Sequence, residues 1–403
     1  MRNRWFIALA AIGLHISIGS VYAWSVLTRP IMADMSFTLS QTTWTFSLAI
    51  LMLGLSAGFL GSFAEKIGPK KSGLLAMLFW VTGLLGTAYA LSIHNLTLLY
   101  LFYGIIGGIG LGIGYITPVS TLVKYFPNRP GFATGLAIMG FGLASLIAGP
   151  LMQYLVAQVG LVDTFIILGV IYLVIMGASS LYLKAPQPKH PTRPTKDKST
   201  MYVHNHGMLA NDAMKTWQFG ALWWVFFINI TCGIGLLSLA SPMAQETIGM
   251  TPAAAASLVG IIGIFNGGGR IAWSTISDYF GRAQTYMLFF IIQIIAFYLL
   301  AETNNALIFQ ILILLIITCY GGGFACMPAY LADLYGIRQL STIHGRILTA
   351  WGLAGIVGPM LVSYFHEAGY GYTTALECFA ALFVLNTIIA IVLKLYGKRE
   401  LHN

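Results

Sequence analysis

Arg270 stands inside a long apolar run, Ile261-Ile-Gly-Ile-Phe265-Asn266-Gly-Gly-Gly-Arg270-Ile-Ala-Trp273, with no carboxylate nearby in sequence. A cation at mid-bilayer costs about 2.5–3.5 kcal/mol even on the mild insertion scale, and it normally faces a cavity rather than lipid. A lone guanidinium there calls for an anion. It offers a planar fork that grips a carboxylate through two parallel hydrogen bonds, so the missing partner reads as a bound small acid in a water-accessible crevice. The competing reading is that Arg270 stacks on aromatic rings or pairs with a carboxylate from a loop. Asn266 lies one helical turn earlier and shares the face of Arg270; it either orients a ligand or makes a helix-packing hydrogen bond. Tyr22, Tyr115 and Tyr320 each carry a hydroxyl on an apolar body, suited to a small hydroxy- or keto-acid. Membrane tyrosines also pack between helices or sit in interfacial belts. His15, midway along the first apolar segment, is either a proton relay or an imidazole satisfied by a neighbouring hydroxyl or carbonyl.

These residues must be positioned by membrane helices. The chain has 403 residues, is 58% hydrophobic and only 8% charged, and has a mean hydropathy of +0.81. Soluble domains carry about 25% charged residues. Segments of about 20 apolar residues recur near 5–28, 41–63, 73–92, 96–122, 131–157, 161–183, 218–241, 253–276, 284–301, 305–331, 343–366 and 373–396. Backbone groups in lipid must be satisfied within a segment, so twelve transmembrane helices are expected. With both termini cytoplasmic, all of the 21 Lys and Arg except Arg29 and Arg270 fall on the cytoplasmic side. The net charge of +9 therefore reports membrane orientation, not nucleic-acid binding, and a multi-pass protein of the inner (plasma) membrane is expected. Cys232, Cys319, Cys326 and Cys378 fall inside expected helices and read as small packing residues. The first segment is too long for a signal-peptide core and should remain as a helix.

Residues 184–217, with four prolines in Ala185-Pro-Gln-Pro-Lys-His-Pro-Thr-Arg-Pro194, read as a flexible cytoplasmic linker. It separates a six-helix bundle over 1–183 from another over 218–403, and its histidines read as solvated loop residues. The halves repeat. Glu65 and Gly68, with Lys66 between them, after the second segment are answered by Asp278 and Gly281, followed by Arg282, after the eighth; the acidic residue and the glycine recur at an offset of 213. Pro118 is answered by Pro328 and Tyr125 by Tyr335, both at 210; Gly149-Pro150 is answered by Gly358-Pro359 at 209. Same-direction six-helix halves place a ligand site between them near the midplane. Glu65, Lys66, Gly68, Asp278, Gly281 and Arg282 are read as conformational-latch loops, where a carboxylate can cap a helix or pair with a loop cation. Gly107, Gly108, Gly110, Gly112 and Gly114 indicate close helix approach rather than a nucleotide turn. The two Gly-Pro pairs are expected to bend their helices.

The glycine, acidic, basic, glycine loops resemble the signature loop of the major facilitator superfamily. Further stretches resemble its oxalate/formate antiporter and monocarboxylate porter branch. They are Gly19-Ser-Val-Tyr22-Ala-Trp24, Gly110-Leu-Gly-Ile-Gly114-Tyr115, Tyr125-Phe-Pro-Asn-Arg129-Pro-Gly131, Trp217-Gln-Phe219, Phe265-Asn266-Gly267-Gly-Gly-Arg270, Tyr320-Gly-Gly-Gly323 and Thr349-Ala-Trp351-Gly352. The resemblance implies an all-α major facilitator fold in which Arg270 binds the substrate carboxylate and Tyr22, Tyr115 and Tyr320 face the cavity. Two departures carry information. Animal monocarboxylate porters place a proton-linked aspartate where this chain has Asn266, which cannot titrate. Oxalate-specific members carry a lysine where this chain has Trp351. One arginine balances one carboxylate, whereas a dianion would keep an unpaired buried charge at a cost of several kcal/mol. A monocarboxylate is therefore expected, with Trp351 packed against its apolar end or simply filling the cavity.

The expected activity is secondary transport of a small monocarboxylate such as pyruvate, lactate or formate by alternating access, in a monomer. Exchange, facilitated diffusion and symport with a proton remain open. Oxalate/formate-type exchange is one alternative, and a carboxylate-binding membrane sensor is another. Efflux of lipophilic cations would call for a buried carboxylate, and none is evident. The sequence has no phosphate-binding loop, metal-ligand spacing or nucleophile with a base, so no cofactor, enzyme activity or ATP-driven pumping is expected.

Overall fold

The computed structural model describes residues 3–125, 130–185, 207–336 and 339–396; within these the side chains of a few residues, Glu65 among them, lie outside the description. The described chain is helical apart from its connections and one isolated bridge, Gly207 to Gly336. Eleven described helices are long and apolar enough to cross a membrane. One of them, Gly135–Tyr182, has 48 residues. At 1.5 Å per residue that is about 72 Å, enough to cross a hydrocarbon layer of about 30 Å twice. It breaks at Gly160, whose φ of 82° and ψ of 177° leave the helical region. Counting its two arms separately gives the twelve expected spans.

These are α1 (Arg4–Gly19), α2 (Leu39–Ile67), α3 (Pro69–Ser92), α4 (Gly108–Tyr125), α5 and α6 (the arms of Pro130–Tyr182 before and after Gly160), α7 (Trp217–Ser238), α8 (Pro252–Phe280), α9 (Arg282–Glu302), α10 (Ala306–Tyr335), α11 (Thr349–Phe365) and α12 (Thr373–Tyr396). Their starts follow from local chemistry. Thr38 and Gln41 form a capping box at α2, Thr216 caps α7, and Thr251 caps α8 just ahead of Pro252. The repeated signature loops take one conformation in both halves. Gly68 (φ 80°, ψ 162°) ends α2 and begins α3, and Gly281 (φ 91°, ψ 148°) does the same between α8 and α9. Positive φ explains why glycine recurs there.

The first span differs from its expected form. The chain stays helical to Met35 but passes through a 3₁₀ turn at Ser20–Ala23 before a second piece, Ser25–Met35. The seventh span breaks likewise at Leu239 and resumes as Ala240–Ile248. The Gly-Pro pairs also do more than bend their helices. A Cβ on Gly358 would collide with the Thr231 carbonyl, so α11 lies backbone-close on α7; Gly149 faces Ala256, bringing α5 against α8. In α4, Gly108 and Gly112 seat the helix on α2, while Gly110, with Gly107 just before the helix, seats it on Trp80 of α3.

The two bundles meet along α5–α8 and α2–α11, where Gly142 faces Gly267 and Gly54 faces Gly352. At the end remote from the chain termini, polar contacts also join them. Arg29 donates to Gln245 at 3.1 Å and lies 3.9 Å from Glu246. Glu367 accepts from the backbone N–H and hydroxyl of Ser40 at 2.7 and 2.6 Å. Below them, Ser363 donates to Thr43 at 3.0 Å.

Candidate functional site

The centre of the molecule is an aromatic box around Arg270. The α10 triplet Gly321-Gly322-Gly323 makes room for it. A Cβ on Gly321 would strike the Asn266 side chain and backbone carbonyl and approach Arg270 Cγ, and one on Gly322 would strike Trp273. Arg270 is therefore drawn into the protein rather than left at the lipid face, and it is 1% exposed. Its Nε donates to Asn266 Oδ1 at 3.3 Å. Its guanidinium carbon lies 5.0 Å from the centre of the Phe324 ring, a cation–π contact. The stacking alternative is thus realised, and among the described residues no carboxylate pairs with the guanidinium.

Tyr22 and Tyr320 join their hydroxyls at 2.8 Å, linking the two bundles across the site. The Tyr22 and Tyr115 hydroxyls lie beside the guanidinium without reaching hydrogen-bond geometry to its outer nitrogens. Trp351 closes the box, with ring centres 4.9 Å from Phe324, 5.2 Å from Tyr115 and 5.9 Å from Phe141. Phe141 sits edge-on to Tyr22, Tyr115 and Trp351 at once. His15 stacks on the Tyr115 ring at 5.4 Å and 20°.

The polar balance of this box is one-sided. Arg270 Nη1 and Nη2, Asn266 Nδ2 and Trp351 Nε1 are all buried without a hydrogen-bond partner, and all four are donors. Buried donors are normally satisfied, and a charged donor left bare is the costlier omission. The box holds more buried donors than acceptors aligned to receive them, a shortfall that an anion would make good.

The sequence profile of the Major Facilitator Superfamily matches residues 6–300 and again 222–402. The chain belongs to this superfamily. It is 29% identical over 359 residues to an uncharacterized transporter of the superfamily, YhjX of Escherichia coli, covering 88% of this chain and 86% of that one. It is 26% identical to the oxalate:formate antiporter of Oxalobacter formigenes, over 93% and 87% of the two chains. It is 20% identical to apicoplast pyruvate carrier 1 of Toxoplasma gondii, over 86% and 81%. In fold it is similar to a bacterial homolog of the human lysosomal transporter Spinster, crystallised in an inward-facing, unoccupied conformation. That comparison has a TM-score of 0.76 at 14% identity and covers 97% of each chain.

Within this superfamily fold, the expected site residues Arg270, Asn266, Tyr22, Tyr115, Tyr320 and Trp351 gather into one cluster, with His15 at its edge. Two expectations need correction. Arg270 was expected in an open, water-accessible crevice, but the rings of Phe324, Trp351 and Tyr115 close over the site and bury it. Asn266 spends its oxygen on Arg270 itself, so its first role is to hold the guanidinium, with only its N–H2 left for a ligand.

The signature loops make contacts of their own, apart from those of this cluster. Arg282 pairs with Asp278 at 2.6 Å and reaches Asp333 of α10 at 3.5 Å, and it also donates to Ser277. All of these partners are in the second bundle. The Glu65 side chain is outside the described residues. Phe324 and Phe141 are the site residues that sequence reading misses. Each had a signal in hindsight, since Phe324 follows the Gly321–Gly323 triplet and Phe141 lies between Gly140 and Gly142.

Proposed function

We propose that this chain is a secondary transporter of small monocarboxylates, pyruvate-, lactate- or formate-like, working by alternating access. The observation that carries this reading is the surplus of buried donors around one uncompensated guanidinium. Arg270 takes the carboxylate through Nη1 and Nη2, with Asn266 bracing it from Nε. The linked Tyr22 and Tyr320 sit where the two bundles must separate, so their contact breaks when the site opens. Trp351 lends an apolar wall and one indole donor. Similarity to an oxalate:formate antiporter and to a pyruvate carrier supports a small organic anion. The signature loops, Glu65, Lys66 and Gly68 with Asp278, Gly281 and Arg282, act as hinges and pairing points of the latch. The protein lies in the plasma (inner) membrane as a monomer, with both termini and the linker cytoplasmic.

A second reading, oxalate/formate-type exchange, draws on the match to the antiporter over 93% of this chain. The cation count weighs against it, because Trp351 places a neutral ring beside the single arginine. Uptake of labelled pyruvate, lactate, formate and oxalate into proteoliposomes, with and without a pH gradient, separates the two. R270K is expected to lose roughly tenfold to a hundredfold of the uptake, because an ammonium cannot reproduce two parallel charge-assisted hydrogen bonds. Parent-level uptake by R270K would sink the proposed site.

A further inference from the structure

His15 is held in a cage whose chemistry a neutral imidazole cannot complete. Its Nδ1 faces the Ala137 carbonyl oxygen of α5, and its Nε2 lies 3.0 Å from the Tyr115 carbonyl oxygen of α4. Both partners are acceptors. A neutral imidazole has one N–H and one lone pair, so one contact sets a lone pair against a carbonyl oxygen. An imidazolium has two N–H groups and satisfies both. The cage is therefore complementary to the protonated ring. The Tyr115 ring stacked on one side and Phe141 set edge-on keep the imidazole in this orientation, and Gly140 lets its Cβ approach α5.

The side chains with charge or titratable groups that face His15 are few. Arg270 of α8 acts on it as a like charge, and Tyr115 of α4 lies against its ring; α5 presents only Phe141 and backbone at the contact. No carboxylate faces it among the described residues. With the site empty, a proton on His15 would add a second cation to a dry core that already holds Arg270. A carboxylate between Nη1 and Nη2 cancels that repulsion and brings a negative charge into the same dry core, which together with the two carbonyl oxygens offsets the cost of burying the extra proton.

We propose that His15 binds the proton that enters with the substrate anion, so that the site is loaded by one carboxylate on Arg270 and one proton on an imidazole nitrogen of His15. The lone pair of that nitrogen takes the proton, and both N–H groups then donate to the Ala137 and Tyr115 carbonyls. The loaded site gains no net charge, and anion and proton each favour the binding of the other, as reciprocal linkage requires. Asn266 cannot serve as the proton carrier, and the cage on α1 supplies one instead. This inference rests on the carboxylate reading of Arg270.

The test is proton uptake on binding. Purified full-length protein in weakly buffered detergent is mixed with labelled pyruvate, which is itself ionised at neutral pH. A pH-indicator dye counts protons while equilibrium dialysis counts pyruvate bound. The parent is expected to take up about one proton per pyruvate bound near neutral pH, and H15Q and H15N close to none per pyruvate bound. The ratio does not depend on how much variant protein is active. The proposal is overturned if the parent binds pyruvate without proton uptake, an outcome that stands even if neither variant folds. It is equally overturned if the variants keep the parent's ratio. A parent that binds none of the short acids fails the Arg270 reading instead, so the two failures are distinguishable.

Discussion

Two flat groups define the proposed acid site at the residue scale. Arg270 lies over Phe324, which takes one face of the guanidinium, and Asn266 takes Nε, so only the outer edge with Nη1 and Nη2 is left bare. That edge is the one a carboxylate matches in a bidentate grip. On the proposed reading Trp351 sets the charge limit of the site, its neutral ring packing beside Tyr115 and Phe324 where a cation would be needed to balance a second carboxylate. W351K is therefore expected to raise the ratio of oxalate to pyruvate uptake several-fold, since the added ammonium pairs with the charge that would otherwise be buried alone. Competition between labelled pyruvate and unlabelled oxalate in proteoliposomes reads this ratio directly. An unchanged ratio in a variant that still transports would show that charge balance at Trp351 does not select the substrate.

Small residues at the element scale decide which helices touch. The triplet Gly267-Gly268-Gly269 in α8 contains its own control. A Cβ on Gly269 would lie 2.5 Å from the Thr318 carbonyl oxygen and 2.6 Å from its Cα, whereas one on Gly268 meets nothing within 4 Å. G269A should destabilise the protein by about 1–3 kcal/mol through overpacking of α8 on α10. G268A should be neutral or slightly stabilising, since alanine is the better helix former. Thermal unfolding in detergent distinguishes them, and equal effects would refute the backbone contact between α8 and α10. The matched breaks in α1 and α7 have a local cause as well. The Ser20 hydroxyl donates to the Ser17 carbonyl at 2.7 Å, and the Ser238 hydroxyl donates to the Gly235 carbonyl at 2.9 Å, in both cases three residues back. Such back-bonding competes with the helical ladder and bends it. It turns Ser25–Met35 and Ala240–Ile248 toward each other, where Arg29 meets Gln245 and Glu246.

That meeting belongs to the scale of the whole molecule. At the end remote from the termini, Glu246 gathers Arg29 from one bundle with His366 at 2.7 Å and Tyr372 at 3.2 Å from the other, while Glu367 holds Ser40. Among the described residues, hydrogen bonds and an ion pair join the bundles at this end and at the central Tyr22–Tyr320 contact. The conformation is therefore one in which polar contacts hold the bundles together at this end. E367Q keeps the side-chain shape but weakens the charge-assisted bonds to Ser40, and is expected to shift the population toward opening at this end. Spin labels at Ser36 and Gly249, on opposite bundles, should then show an added longer distance. An unchanged distance distribution would mean that this contact does not help hold the end closed.

Much of this was legible in one dimension. Hydropathy marks the spans because lipid forces each segment to satisfy its own backbone. The Glu65–Gly68 and Asp278–Gly281 loops announce the duplication, because positive φ at Gly68 and Gly281 admits little else. An arginine among apolar residues points to the proposed anion site, because a bare buried cation is costly to leave idle. Tertiary structure alone decided that Phe324 lies under Arg270, that Asn266 braces it, that Phe141 holds four aromatic neighbours together, and that His15 faces two carbonyl oxygens. These arrangements join residues far apart in sequence on different helices, such as His15 and Ala137, or depend on which way a side chain turns. Helical periodicity states which face a residue occupies, while the close glycine contacts between α8, α10 and α5 determine what that face meets.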